Sequence, residues 1–160
     1  MICFYARLKD AAKAYESVKI LEGKLSRENL MTVSPGGIAG AKEDIYSFDG
    51  NPGGSAGIAE MLVQCHEGYI ELLPCLPSEW NNGSFKGLCV KGGAEVAADW
   101  KDGKLGSATL KATAGNRFVV KVPSDRVYSL TVNGKKCAEK PDAKGLLALT
   151  LKKGDVFVMR

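Results

Sequence analysis

One histidine, His66, stands in the 160-residue chain, so a multi-histidine metal site is excluded, and a serine-type triad would have a single base with no recognisable nucleophile. The five cysteines, Cys3, Cys65, Cys75, Cys89 and Cys137, form no C-x-x-C pair and no zinc-ligand spacing. They read as small buried hydrophobes, and neither a metal nor a cofactor is expected. No run approaches the roughly 18 uninterrupted apolar residues of a membrane-spanning helix, so no membrane partner is expected. The 22 basic and 18 acidic side chains are interleaved, and their net charge of +4 leaves no electrostatic footprint for nucleic acid. There is no internal repeat and no low-complexity tract. The opening Met1 to Arg7 lacks the basic and long apolar regions of a secretion signal. The expectation is a cytoplasmic protein, or a Met1 that is not the natural start of the polypeptide.

What is present has globular proportions, 45% hydrophobic and 25% charged, in a chain long enough to bury roughly 70% of its unfolded surface. Charge divides it near Gly68: residues 1–68 carry 7 basic and 9 acidic groups, and residues 69–160 carry 15 and 9. In the first region Leu8, Ala11, Tyr15, Val18, Leu21 and Leu25 recur every three or four residues, the apolar stripe of a helix, with Gly23 near its end. A second helix is expected from Ser55 to about His66, where Ile58, Met61, Leu62 and Cys65 form a stripe and Gly68 supplies a stop. Between them, Ser34 to Gly57 is too glycine-rich for regular structure.

From Tyr69 the period becomes two. Short strands are expected over 69–73, 88–90, 95–100, 104–112, 117–122, 127–132, 135–138, 146–151 and 156–159, a count that suggests an antiparallel sandwich. Asp102-Gly103 and Asn133-Gly134 are type I′ hairpin dipeptides. Lys153-Gly154-Asp155 reads as a third turn, pairing Leu147, Leu149 and Leu151 with Val156 and Val158. The fold class is thus α+β by content: a helical segment over 1–68, a connecting strand and linker over 69–83, and a β-sandwich over 84–160.

Few residues offer chemistry. His66, at the last turn of its expected helix, is favoured there by the macrodipole and reads as structural. Gly50 to Gly57 runs into a helix but lacks the Lys-Ser/Thr of a P-loop and the preceding strand of a dinucleotide fold; it reads as a turn with close backbone approach or as a sugar-facing loop. Asp49, after Phe48 and before the glycines, could be one of the two tuned carboxylates of a glycoside hydrolase, or a turn residue accepting bonds from Asn51 or Gly53. Trp100, sharing a strand face with Val96 and Ala98, reads as core, whereas Trp80 could be core or a sugar-stacking platform.

Together these segments resemble one family. Asp49-Gly50-Asn51, the block Gly53-Gly54-Ser55-Ala56-Gly57-Ile58-Ala59-Glu60-Met61-Leu62, then Gln64, His66, Leu72-Leu73-Pro74 and Leu76-Pro77 resemble the C-terminal part of the family 95 glycoside hydrolases, the inverting α-L-fucosidases. Ala6-Arg7-Leu8 with Asp10 and Ala14-Tyr15, and later Gly87-Leu88, Gly92-Gly93 and Trp100 to Leu105, are similar in the same order. The resemblance implies that the helical pair is the end of an (α/α)6 catalytic barrel and that a C-terminal sandwich follows. It implies that Asp49 is a catalytic carboxylate, polarising an asparagine that handles the attacking water, and that Asn51 binds substrate. The complete enzyme would take a fucosylated glycan.

The departures limit that expectation. In the family a short Phe-Asp-Ala-His-Pro-Pro segment leads from Asn-Leu to the D-G-N, whereas here Asn29-Leu30 is followed by a longer Met31 to Phe48 without histidine, and Pro52 replaces the aromatic after D-G-N. The family's general-acid glutamate lies upstream of these residues, so the chain reads as a C-terminal fragment, inactive alone. The alternative is a non-catalytic β-sandwich module for carbohydrate binding or oligomerisation, with a homo-oligomer covering helix faces that have no barrel partner.

Overall fold

The computed structural model describes the backbone of residues 1–160 and every side chain except that of Ala39. The chain divides into two compact units, Met1–Leu62 with Cys75–Ser78, and Val63–Pro74 with Glu79–Arg160.

The first unit holds α1 (Ile2–Arg7), α2 (Ala11–Lys24), the short antiparallel strands β1 (Val33–Ser34) and β2 (Ile45–Tyr46), and α3 (Gly50–Leu62). The helix expected from Leu8 to Leu25 begins later, at Ala11, and a separate short helix precedes it. Lys9 takes a left-handed φ of 58°; its amide bonds to Ala6 O (3.1 Å) and that of Asp10 to Tyr5 O (3.0 Å). These are the paired bonds of a Schellman ending, built on lysine where glycine is usual. Asp10 then caps α2, its carboxylate accepting from the Lys13 amide at 3.1 Å. Nothing in the apolar period marks this break, because Leu8 and Ala11 keep the stripe's spacing across it.

The second helix starts at Gly50, five residues before the expected Ser55, and ends at Leu62. Helix propensity alone argues against four glycines in its first eight residues. Packing overrides it. A Cβ at Gly57 would lie 2.6 Å from Cβ of Ile2, and one at Gly54 would lie 2.3 Å from Cδ2 of Leu21. The glycines thus let α3 approach α1 and α2 closely. Ala6, Ala14, Val18 and Met61 fill the small core.

The second unit begins with β3 (Val63–Gln64) and β4 (Glu71–Leu72), a short antiparallel pair. His66 therefore lies in the turn between two strands and not at a helix terminus, because the helix stops four residues earlier. There follow β5 (Gly83–Val90), β6 (Ala94–Lys101), β7 (Lys104–Ala112), β8 (Asn116–Lys121), β9 (Leu130–Val132), β10 (Lys135–Lys136), β11 (Leu146–Leu151) and β12 (Val156–Met159). Six form one antiparallel sheet in the order β10-β9-β12-β7-β6-β5, and β11 pairs with β8 in a second.

Alternation fixes which face is buried. On β6 it is Ala94, Val96, Ala98 and Trp100; on β11 Leu147, Leu149 and Leu151; on β12 Phe157 and Met159. All of these except Trp100 join one apolar cluster with Phe118, Val120, Leu105 and Leu110, the filling of a sandwich. The α+β content and the antiparallel architecture agree with the sequence reading. Asp102 and Gly103 have φ of 52° and 71°, and Asn133 and Gly134 have 50° and 76°, so both hairpins take the turn their dipeptides favour.

Lys153-Gly154-Asp155 does not make the expected hairpin. β11 pairs with β8, whereas β12 lies between β7 and β9. The Gly154 amide bonds to Ala112 O and the Ala112 amide to Asp155 O, so the turn carries the chain from one sheet to the other. Leucines 147, 149 and 151 and the pair Phe157 and Met159 consequently belong to opposite layers of one core instead of adjacent strands of one layer.

Candidate active site

Asp49 stands at the entry to α3. Its carbonyl accepts the first helical bond, from the Gly53 amide at 3.0 Å, and the Gly50 amide reaches back to Ser47 O at 3.2 Å. This tight turn exposes the carboxylate, whose Oδ1 accepts from Ser47 Oγ at 2.7 Å. No bond from the Asn51 or Gly53 amide to that carboxylate is found among the described residues, so Asp49 is held by a hydroxyl and not by a turn of backbone amides.

Asn51 is tied more firmly. Its Oδ1 accepts from the Thr32 amide and from Thr32 Oγ1, both at 2.9 Å, and its Nδ2 donates to Leu30 O at 2.7 Å. Thr32 is 3% exposed, and its hydroxyl also lies 2.5 Å from Ser47 O. The Ser47 amide donates to Thr32 O at 2.9 Å. Thr32 therefore binds both sides of the Asp49 turn, and a Cβ at Gly50 would lie 2.4 Å from its hydroxyl oxygen. Glycine in the D-G-N triplet is a steric requirement set by a residue 18 positions upstream. Sequence reasoning missed Thr32, whose only local signal is a threonine two residues after Asn29-Leu30.

Asp49, Gly50, Gly53 and Gly54 border an open cavity of about 410 Å³ whose other wall is mainly apolar, with Ile20 and Leu21 of α2. Asp49 is the one carboxylate lining it among the described residues. No group of three or more His, Cys, Asp or Glu among those residues is placed to hold a metal ion. Trp100 is 7% exposed, its indole Nε1 donating to Trp80 O at 2.6 Å. It is a core residue, as its strand pattern predicts, and Trp80 is half-buried.

Residues 64–159 match the family model described as glycoside hydrolase family 95, C-terminal domain, and residues 1–62 match the model of that family's catalytic domain. The first match alone spans more than half of the chain. The chain belongs to glycoside hydrolase family 95. A stretch of 61 residues, 38% of this chain, is 43% identical to "Alpha-L-fucosidase 2" of Arabidopsis thaliana and covers 7% of that protein. A solved structure titled "Glycoside hydrolase" is 15% identical with a TM-score of 0.37, over 96% of this chain and 29% of the other. The family 95 chain thus spans a small part of the length of each. The resemblance carried by Asp49-Gly50-Asn51 and the block ending at Leu62 is a family relation. The two family models divide between Leu62 and Gln64, where α3 ends and β3 begins.

Proposed function

We propose that this chain is the C-terminal part of an α-L-fucosidase-like glycoside hydrolase, whose complete form cleaves the O-glycosidic bond of a fucosylated glycan with inversion, and that the chain alone does not turn over. The helical segment of residues 1–68 is then the end of an (α/α)6 barrel, residues 84–160 the sandwich that follows it, and 69–83 the connection. Asp49 serves as a catalytic carboxylate, orienting the amide that handles the attacking water, and Asn51, its side chain held by Thr32 and Leu30, is the substrate-binding residue that the family relation suggests.

The observation that carries this reading is the solitary acid. Inversion needs a general acid to protonate the leaving oxygen and a base for water, with the two groups about 6.5–9.5 Å apart. Asp49 is the one acid on its cavity wall among the described residues. The second group then comes from polypeptide outside these 160 residues. The chain alone should release no phenol from an aryl α-L-fucoside; turnover abolished by Asp49→Ala would show that it is complete. Fused to the remaining catalytic-domain sequence of a relative, it should become active, and Asp49→Ala should then lower kcat by at least about 10²-fold.

The alternative, a non-catalytic binding or oligomerisation module, draws support from the exposed Phe4 on α1 and Leu8 at its end. Trp100 is buried, so of the two tryptophans the half-buried Trp80 is the one left to serve its carbohydrate-binding form. A monomer by light scattering would remove the oligomerisation form.

A further inference from the structure

A second cavity, of about 320 Å³, lies within the sheet-rich unit, a size in the range of small-ligand pockets. Its wall carries His66 and Tyr69 from the β3–β4 turn, Lys91 from the β5–β6 turn and Arg117 from β8, and among the described residues no carboxylate. Three separate segments thus bring nitrogen donors to one opening.

The two cationic side chains stand on backbone that is pinned in place. Asn116 Nδ2 donates to Gly92 O at 3.1 Å, while its Oδ1 accepts from the Arg117 amide at 2.8 Å. One asparagine therefore locks the Lys91 turn to the start of the Arg117 strand. Gly92 has φ of 94°, and a Cβ there would sit 3.1 Å from Asn116 Nδ2 and 3.2 Å from the Phe118 ring. Glycine is what permits that approach. Two neighbouring acids are each held by a partner. Glu67 accepts from the Tyr69 hydroxyl, a bond that helps push the phenol up to about 12. Glu71 pairs with Lys121 at 2.8 Å. Neither lines the cavity, so among the described residues Lys91 and Arg117 meet no carboxylate on its wall.

We propose that this cavity is a binding site for an anionic sugar, with the guanidinium of Arg117 and the ammonium of Lys91 receiving the carboxylate of a uronic acid or the sulfate of a sulfated residue, and His66 and Tyr69 bordering the ring. A planar guanidinium suits two-point contact with such oxyanions. The choice of a sugar as the carrier of the anion rests on the carbohydrate reading of this family; the site itself uses no residue of the Asp49 region.

The test is calorimetric titration of the 160-residue chain at low salt with three probes: tetragalacturonic acid, a sulfated tetrasaccharide and an uncharged tetrasaccharide of equal length. One or both acidic probes should bind at least ten-fold more tightly than the uncharged one, the stronger acidic arm identifying the anion. The double substitution K91Q/R117Q should reduce that binding at least ten-fold while circular dichroism and the thermal midpoint stay close to the parent's. Lys91→Gln and Arg117→Gln should each give a partial loss if the double variant folds poorly. Equal affinity for charged and uncharged probes, no binding of either acidic probe, undiminished binding by the variants, or equally tight binding of duplex DNA would overturn the proposal. Asp49→Ala should leave this binding unchanged, so failure of the fucosidase reading and failure of this site are told apart.

Discussion

The helical and the sheet-rich units solve the burial problem differently. In the sheet unit a 17-residue cluster of buried residues fills the space between two layers, and a single exposed large hydrophobic, Val127, is found among its described residues. Among its described residues the helical unit has far fewer buried apolar side chains and shows ten exposed large ones, among them Met1 (76%), Phe4 (57%) and Leu8 (62%). Period-two strands place every second side chain on one face, and two such faces close on each other. Three helices in contact leave apolar stripe uncovered. The sheet unit thus has the means for independent stability, whereas the helical unit depends on close helix contacts and on polar ties such as those of Thr32.

Deleting a large core side chain should set the upper end of that contrast. Phe157, 2% exposed, is expected to cost about 3–5 kcal/mol when replaced by alanine, read as a shift in the urea midpoint of the parent chain. In the helical unit the sharper probe is an addition. Gly57→Ala should destabilise by about 1–3 kcal/mol through overpacking against Ile2 and the Cys3 backbone, although the same change stabilises a free helix. Gly54→Ala should cost less, since it meets the mobile end of Leu21. A stabilising Gly57→Ala would show the helices to be loosely packed, and the contrast would fail.

Thr32→Val tests the polar ties. It keeps the side-chain volume, removes the hydroxyl contacts to Ser47 O and Asn51 Oδ1 and should cost about 1–3 kcal/mol, with faster hydrogen exchange at the Ser47 and Gly50 amides. The smallest effect should come from Asp155. Its carboxylate accepts from Asn133 Nδ2 at 2.9 Å and from the Lys152 amide at 2.8 Å, bonds that hold it below the usual aspartate value. The unfolded chain then binds more protons, so this stabilisation is present above the unfolded value near 3.8 and is lost as pH falls through the lower folded one. Asp155→Asn should flatten the acid limb of a stability–pH curve and lower stability slightly at neutral pH.

These contrasts also mark what was legible in the amino-acid order. Asp102-Gly103 and Asn133-Gly134 declare their turns because the geometry they need is local. Strand Leu146–Leu151 is equally plain from its alternation, yet its neighbour is not: whether Gly154 folds a strand back or passes it across depends on residues more than 30 positions away on β7 and β8. Lys9 hides a helix end because lysine rarely adopts a left-handed φ. The early start of α3 is hidden for a related reason, since four glycines argue against a helix until Ile2 and Leu21 are seen to need the room. At the candidate site Asp49 and Asn51 were read from their triplet, but Thr32, which holds them, is separated from them by a segment of different construction.

One junction carries a mechanical consequence. Asp10 is at once the residue that closes the end of α1 and the cap that opens α2. Two helix termini therefore share a single residue, its amide closing one and its carbonyl and carboxylate opening the other, and the corner between them behaves as a stiff elbow. Neither helix can fray at that end without loosening the other, so amide protons on both sides of residue 10 should exchange with solvent through one common opening.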